Sequence, residues 1–196
     1  VPVARALADD GVGFFAVATV DEGIELRHAG LDARILLLGP THPDRILDAH
    51  AADLTPAVMS LEDAIAYDKA LGDRRLTVHL TIDSGMCRMG IRHDEISEAC
   101  ARLKTLASLE FEGVFSHFAA VGDNDEYSDL QRQAFEQALG QVRSHLDPGM
   151  VHMSASQALL SYPAARFDAV RPGNILYGSV ADVAEKNLPK LRPAMS

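Results

Sequence analysis

Cysteine, basic residues and long apolar runs are all scarce in this sequence. Two cysteines in 196 residues, Cys87 and Cys100, are too few for a disulfide framework and lack the spacing of a zinc site. Reduced thiols, as in a cytoplasm, are the expectation. Eighteen Lys and Arg stand against 28 Asp and Glu, a formal net charge of −10, and no face is basic enough to release the counterions of a phosphate backbone. A nucleic-acid partner is thereby disfavoured. No stretch approaches the ~20 apolar residues of a membrane span, so no membrane partner is expected from this segment. Low-complexity stretches and internal repeats are also missing. The opening "VPVARALADDG" has neither an initiator methionine nor a signal-like segment, which reads as the interior of a longer chain.

What is present suits one globular core. Apolar residues make up 47% and charged residues 23%, and a domain of this size buries roughly 70% of the surface its unfolded chain exposes. Seven strand-like runs recur, at 12–19, 34–39, 53–59, 76–83, 111–118, 150–156 and 169–178. Helical patterns separate them at 21–29, 42–50, 60–71, 93–108, 126–147 and about 157–161. Strands buried on both faces and alternating with helices predict parallel βαβ units, and this many favour a barrel over an open sheet. The fold class expected is α/β, a (β/α)8 TIM-type barrel. It is one strand short, because residues 2–10 read as a helix that would follow a strand upstream of Val1. Residues 1–183 are assigned to the barrel, and the Pro-broken tail 184–196 to an exit segment leading towards another domain.

In such barrels, functional groups gather at the C-terminal ends of the strands. The polar residues cluster there: Asp83 and Arg88 after one strand, His117 at the end of the next, Ser154 and Ser156 after the next, and Arg171, Gly173, Asn174 and Tyr177 around the last. Each has a plainer alternative. His117 reads equally as a hydrogen-bonded core histidine, and Arg88, with glycine on both sides, as a helix-start ion pair or as an anion site. Arg171 inside an apolar strand demands a partner. Gly173 and Asn174 offer backbone N–H groups beside Ser156, in the manner of a phosphate cradle. His79 and His152 read as structural, Met86, Met89 and Met153 as packing, and Asp123, Asp125, Glu126 and Asp129 as a solvated helix start.

"FFAVATVDEGIELRHAG", "VHLTIDSGMCRMGI", "FEGVFSHFA" and "FDAVRPGNILYG" together resemble the alanine racemases, over nearly the whole chain. The resemblance implies pyridoxal 5'-phosphate as cofactor, an amino acid as substrate, a cytoplasmic homodimer and a role in making D-alanine for cell-wall precursors. It places Arg88 near the cofactor's phenolic oxygen and the substrate carboxylate. His117 falls beside the cofactor ring, Arg171 opposite the pyridine nitrogen, and Ser156, Gly173 and Asn174 on the phosphate. An arginine opposite that nitrogen disfavours protonation of the ring, while the protein orients a cofactor that carries the difficult chemistry.

The family's two bases are a lysine, in a segment of the kind "KANAYGHG" on the strand ahead of the first helix, and a tyrosine from the partner's β domain. Neither is expected within these 196 residues. Lys69, Lys104, Lys186 and Lys190 fall in helices or the tail. The chain also departs from the family pattern at Thr81, where a lysine that is often carbamylated would stand, and at Ala155, where asparagine is common. With threonine at 81, Arg88 is left to be oriented by water, an anion or Asp83; with alanine at 155, a hydrogen-bonding group near the cofactor is lost and serine stands as an alternative substrate to alanine. Cofactor binding without catalysis is a second alternative, and a basic amino-acid decarboxylase of the same fold, whose Gly-rich phosphate loop "VRPGN" matches poorly, ranks last.

Overall fold

A computed structural model describes residues 1–179 and 191–194. Eight strands follow in order: β1 (Phe14–Val17), β2 (Arg34–Leu37), β3 (Thr55–Val58), β4 (Leu76–Asp83), β5 (Ile91–Arg92), β6 (Leu109–Phe115), β7 (Met150–Ala155) and β8 (Ala169–Arg171). The helices are α1 (Pro2–Asp9), α2 (Val20–His28), α3 (Ile46–Ala51), α4 (Leu61–Leu71), α5 (Ile96–Leu103), α6 (Asp125–Arg143) and α7 (Ser156–Ser161). All strand pairings are parallel, in the order β1-β2-β3-β4-β6-β7-β8, with the two-residue β5 beside β4 off that path. This is a partial TIM-type barrel. Among the described residues, β1 and β8 are the two edges and are not paired with each other.

Local chemistry explains where the elements start. Thr19 and Glu22 form a capping box at the head of α2, each side chain accepting the other's backbone N–H. Ser60 caps α4 by accepting from Asp63 N–H at 3.0 Å, and Asn124 caps α6 by accepting from Tyr127 N–H at 2.9 Å. Asp125 and Glu126 sit exposed in the first turn of α6, where they complement its dipole.

Two expectations are corrected and one strand is added. The helix expected at 93–108 is only α5, because residues 93–95 turn back on β4 and β5 through His93 N–H to Asp83 O and Glu95 N–H to Arg92 O, both at 3.0 Å. The strand expected at 169–178 stops at Arg171: Pro172 has no N–H to continue a ladder, and Asn174–Tyr177 form a 3-10 turn instead. The strand β5 is an addition that two residues give no periodicity to announce. The proposed exit segment, 184–196, lies outside the described residues apart from 191–194.

Side chains alternate across the sheet with the strand period of two. Along β4, Val78, Leu80 and Ile82 point outwards into one large cluster with the helices, which holds Tyr67, Leu103, Phe135 and Val142. His79 and Thr81 lie on the other face, towards the barrel axis, where Phe14, Phe115 and His152 meet the His79 ring or its neighbours. Cys100 belongs to the outer cluster, and burial pushes its thiol up to about 11, so it packs as an apolar residue. Phe135 is wholly buried and meets Phe167 edge-on at 5.5 Å. Phe135→Ala is therefore expected to lower stability by about 3–5 kcal/mol, read as a shift of the urea unfolding midpoint with unchanged slope.

Candidate functional site

The segment after β4 builds the first wall of the site. Asp83 turns its carboxylate back so that Oδ1 accepts from the N–H groups of Gly85 at 2.9 Å and Cys87 at 3.0 Å. From α6, the Tyr127 hydroxyl donates to Gly85 O at 2.6 Å. Gly90 has φ +112°, and a Cβ there would lie 2.8 Å from the backbone nitrogen of Asp83, so the loop can close only on glycine. Arg88 rides on this loop, exposed, with no hydrogen bond or ion pair among the described residues. The helix-start ion pair is thus not formed, and Asp83 serves the loop rather than Arg88.

The second wall follows β6. Gln131 of α6 is buried and spans the next loop, accepting from Ala119 N–H at 2.9 Å and donating to His117 O at 3.4 Å. That places His117 two residues past the strand end. Ser116 beside it pairs with Ser84 at 2.8 Å, joining the two loops.

Arg171, the last residue of β8, reaches across both walls. Its Nη2 donates to Ser116 O at 2.7 Å and Met153 O at 2.9 Å and lies 3.3 Å from His117 Nδ1. Nη1 meets His152 Nδ1, and the guanidinium lies 5.1 Å from the centre of the Phe115 ring. Burial brings the arginine down to about 10, which leaves it charged at neutral pH. The same charge holds nearby imidazoles neutral: burial first, then Arg171 and Arg88, lower His117 to about 4. Burial, then Arg171 and His79, lower His152 to about 2. Position on a strand made His152 look like packing; its contact with Arg171 comes from a pairing 19 residues apart in the chain.

The third part is the anion cradle. Ser156 Oγ accepts from Gly173 N–H at 2.9 Å and Ile175 N–H at 3.3 Å. With two donors satisfied on its oxygen, the hydroxyl proton is left to point elsewhere. A Cβ on Gly173 would meet only that oxygen, at 4.0 Å, and otherwise the open space of the cavity. Asn174 lies on the same wall, although the N–H turned towards Ser156 is that of Ile175. The cavity holds about 360 Å³ and is lined by His117, Ser156, Arg171, Gly173 and Asn174 among others. A second, of about 170 Å³, is lined by Thr81, Arg88, Met89 and Phe115 and shares His117, Ala155 and Arg171 with the first. Of the nine residues gathered at the strand ends in the sequence, the six that the resemblance places on cofactor or substrate, with Asp83, converge on these adjoining cavities, whereas Ser154, which donates to Ala165 O at 2.7 Å, and Tyr177 line neither. Thr81 Oγ1, on the wall of the smaller, is buried with no hydrogen-bond partner. The residues suit a phosphorylated aromatic group: a hydroxyl and glycine cradle at one end, a flat imidazole and a half-buried cation at the middle, and an exposed cation at the other.

Fold and site together define a TIM-type βα barrel with its polar chemistry at the C-terminal mouth of the strands. The chain belongs to the alanine racemase family: residues 1–181 match the family model "Alanine racemase, N-terminal domain". It is 38% identical over 200 residues to the alanine racemase of Geobacter sulfurreducens, covering 98% of this chain and 52% of that protein. With the alanine racemase of Carboxydothermus hydrogenoformans it shares 39% over 202 residues, covering 100% and 54%. It superposes on the alanine racemase of Clostridium difficile 630 with a TM-score of 0.94 at 34% identity, covering 99% of this chain and 55% of that one. The corresponding structure from Bacillus anthracis, with bound L-Ala-P, gives 0.91 at 36%, covering 99% and 52%. The chain thus spans about half the length of the relatives it matches.

The depressed imidazoles have a consequence for stability. The unfolded rings titrate near 6.5, while the folded His79 and His117 titrate near 4 and His152 near 2. Below pH 6.5 the unfolded chain therefore binds more protons than the folded one, so the stability these neutral rings confer is complete above that pH and falls on acidification towards pH 4. Urea midpoints should fall from pH 7 to pH 5, and less so in His152→Asn; equal pH dependence in the two proteins would contradict this.

Proposed function

We propose that the protein carrying this chain is a pyridoxal-phosphate-dependent alanine racemase, an isomerase acting as a cytoplasmic homodimer in the supply of D-alanine for cell-wall precursors. The observation that carries this reading is the half-buried, multiply bonded Arg171 guanidinium on the cavity wall beside the Ser156 and Gly173 cradle. When bound, pyridoxal phosphate supplies a ring that takes up the electron pair left on Cα as its C–H bond breaks.

Residues of this chain bind and orient. Ser156, with the backbone at Gly173 and Asn174, holds the phosphate, and His117 flanks the ring. Arg171 would offer the pyridine nitrogen a donor that stays charged rather than a proton to transfer, which would limit the electron withdrawal the cofactor supplies. Arg88 holds the amino-acid carboxylate through a charge-assisted bond. The proton leaves Cα on one face and returns on the other, which requires two bases. His117, lowered to about 4, is a weak base. Lys69 lies in the last turn of α4 and Lys104 just past α5, both away from the mouth, and Lys186 and Lys190 lie outside the described residues. The family resemblance assigns the two bases, a lysine and a partner's tyrosine, to chain beyond these residues.

Thr81 and Ala155 keep the alternative of serine open, because both face the cavity that holds Arg88. Among the described residues no helix is long and apolar enough to cross a membrane.

The test is made on the whole protein. It is expected to interconvert L- and D-alanine only with pyridoxal phosphate added, and faster than it interconverts serine. Ser156→Ala is expected to weaken cofactor binding about 10–100-fold, the equivalent of one hydrogen bond to a charged group, in a titration of cofactor absorbance. The 196-residue chain alone should show no turnover, and borohydride reduction with pyridoxal phosphate should label none of its lysines at full stoichiometry. Turnover without the cofactor, or a stoichiometric label in this chain, would overturn the assignment.

A further inference from the structure

Beneath the cofactor cavity, the barrel axis carries a row of polar groups that binding and catalysis as described do not use. It runs from Arg171 at the C-terminal mouth through His152 and His79 to Glu112, towards the other end of the strands. His79 Nδ1 lies 2.9 Å from His152 Nε2, and both rings are buried, at 0% and 2% exposure. His79 Nε2 is a buried nitrogen with no hydrogen-bond partner, and the nearest acidic atom is Glu112 Oε2 at 3.9 Å. The other oxygen of that carboxylate is ion-paired with Arg34. Arg34 is itself placed over the Phe14 ring at 4.4 Å, and that ring meets His79 edge-on.

The proton positions in this row follow from which groups can donate. A guanidinium has donors and no acceptor, so His152 Nδ1, facing Arg171, must carry a lone pair. A neutral imidazole has one N–H, so it sits on Nε2 and is given to His79 Nδ1. The His79 proton is then on Nε2, directed at Glu112. Only one other arrangement is self-consistent, with both rings protonated on Nδ1. It would set an N–H against the Arg171 N–H at one end and a lone pair against the Glu112 carboxylate at the other. Arginine and glutamate therefore select the same register from opposite ends, and the ring dipoles align between a cation and an anion.

The site is built for this ring pair. Gly113 lies against His79, and a Cβ there would come within 2.4–2.7 Å of three ring atoms, so any other residue would drive His79 out of line.

We propose that Glu112 is a positioning residue for Arg171, acting through the His79–His152 pair to fix both imidazole tautomers and so the direction in which the guanidinium is held. The proposal depends on the racemase reading only for what Arg171 is held against. The row itself is present without cofactor.

The test is nitrogen-15 NMR of imidazole-labelled histidines in the whole protein, first without cofactor. In the unmodified protein, His79 and His152 should both show Nε2–H and unprotonated Nδ1. In Glu112→Gln, whose side chain can still accept but carries no charge, the two rings should shift towards tautomer averaging, and Glu112→Asp should restore most of the single-tautomer pattern. With pyridoxal phosphate and alanine, Glu112→Gln should lower kcat about tenfold with KM within about twofold, because the carboxylate site at Arg88 is untouched. A His152 protonated on Nδ1 in the unmodified protein would overturn the proposal whether or not any variant folds, as would shifts of both rings unchanged in a folded Glu112→Gln. Failure to bind cofactor would defeat the racemase reading and leave the histidine shifts to judge the row.

Discussion

The half-buried charge of Arg171 is the constraint on which the mouth of this barrel depends. A guanidinium withdrawn from water is tolerable only if its donors are met. Here they are met by carbonyls of Ser116 and Met153, one just past β6 and one on β7, and by imidazole nitrogens. The side chain thereby bridges strands where the ladder itself is irregular, since the register of β7 and β8 shifts between His152 and Ala155. The neutral state of His79, His117 and His152 follows first from burial and then from neighbouring cations, Arg34 and Arg171 at His79, Arg171 and Arg88 at His117, and Arg171 at His152. One cation thus ties the ends of β6, β7 and β8 together at the mouth and adds to the effect of burial on the rings beside it.

Much of the barrel was legible because hydrophobic runs and their separators carry it. The β4 run was read at its full length, 76–83, since all but Thr77 and Asp83 are buried and it is bounded by charged and glycine-containing stretches. Strand ends were less legible where chemistry rather than hydropathy stops them: Pro172 ends β8, and the Asp83 turn and β5 truncate the following helix from its N-terminal side. The site divides in the same way. The gathering of Arg88, His117, Ser156, Arg171, Gly173 and Asn174 at strand ends could be read from position alone. Their individual roles came from family resemblance. His152 and His79 escaped both routes, because what distinguishes them from packed core residues is a contact between strands 73 residues apart, and nothing local in "VHL" or "VHM" signals it.

The two cations of the site are held in opposite ways. Arg171 is locked before any ligand arrives, and its side-chain entropy was lost on folding. Arg88 stands on a loop whose backbone is tightly tied through Asp83, Tyr127 and Gly90, yet its own side chain is exposed and unbonded among the described residues. A ligand that engaged it would have to order it, at a cost on the order of 1–2 kcal/mol for a long side chain. The mouth therefore combines a rigid half with a compliant half. Ligands sharing one ring but differing in their carboxylate-bearing arm would be separated by how well each immobilises a swinging guanidinium. Selectivity of that kind should surface in the entropy of binding and leave little trace in the shape of the cavity.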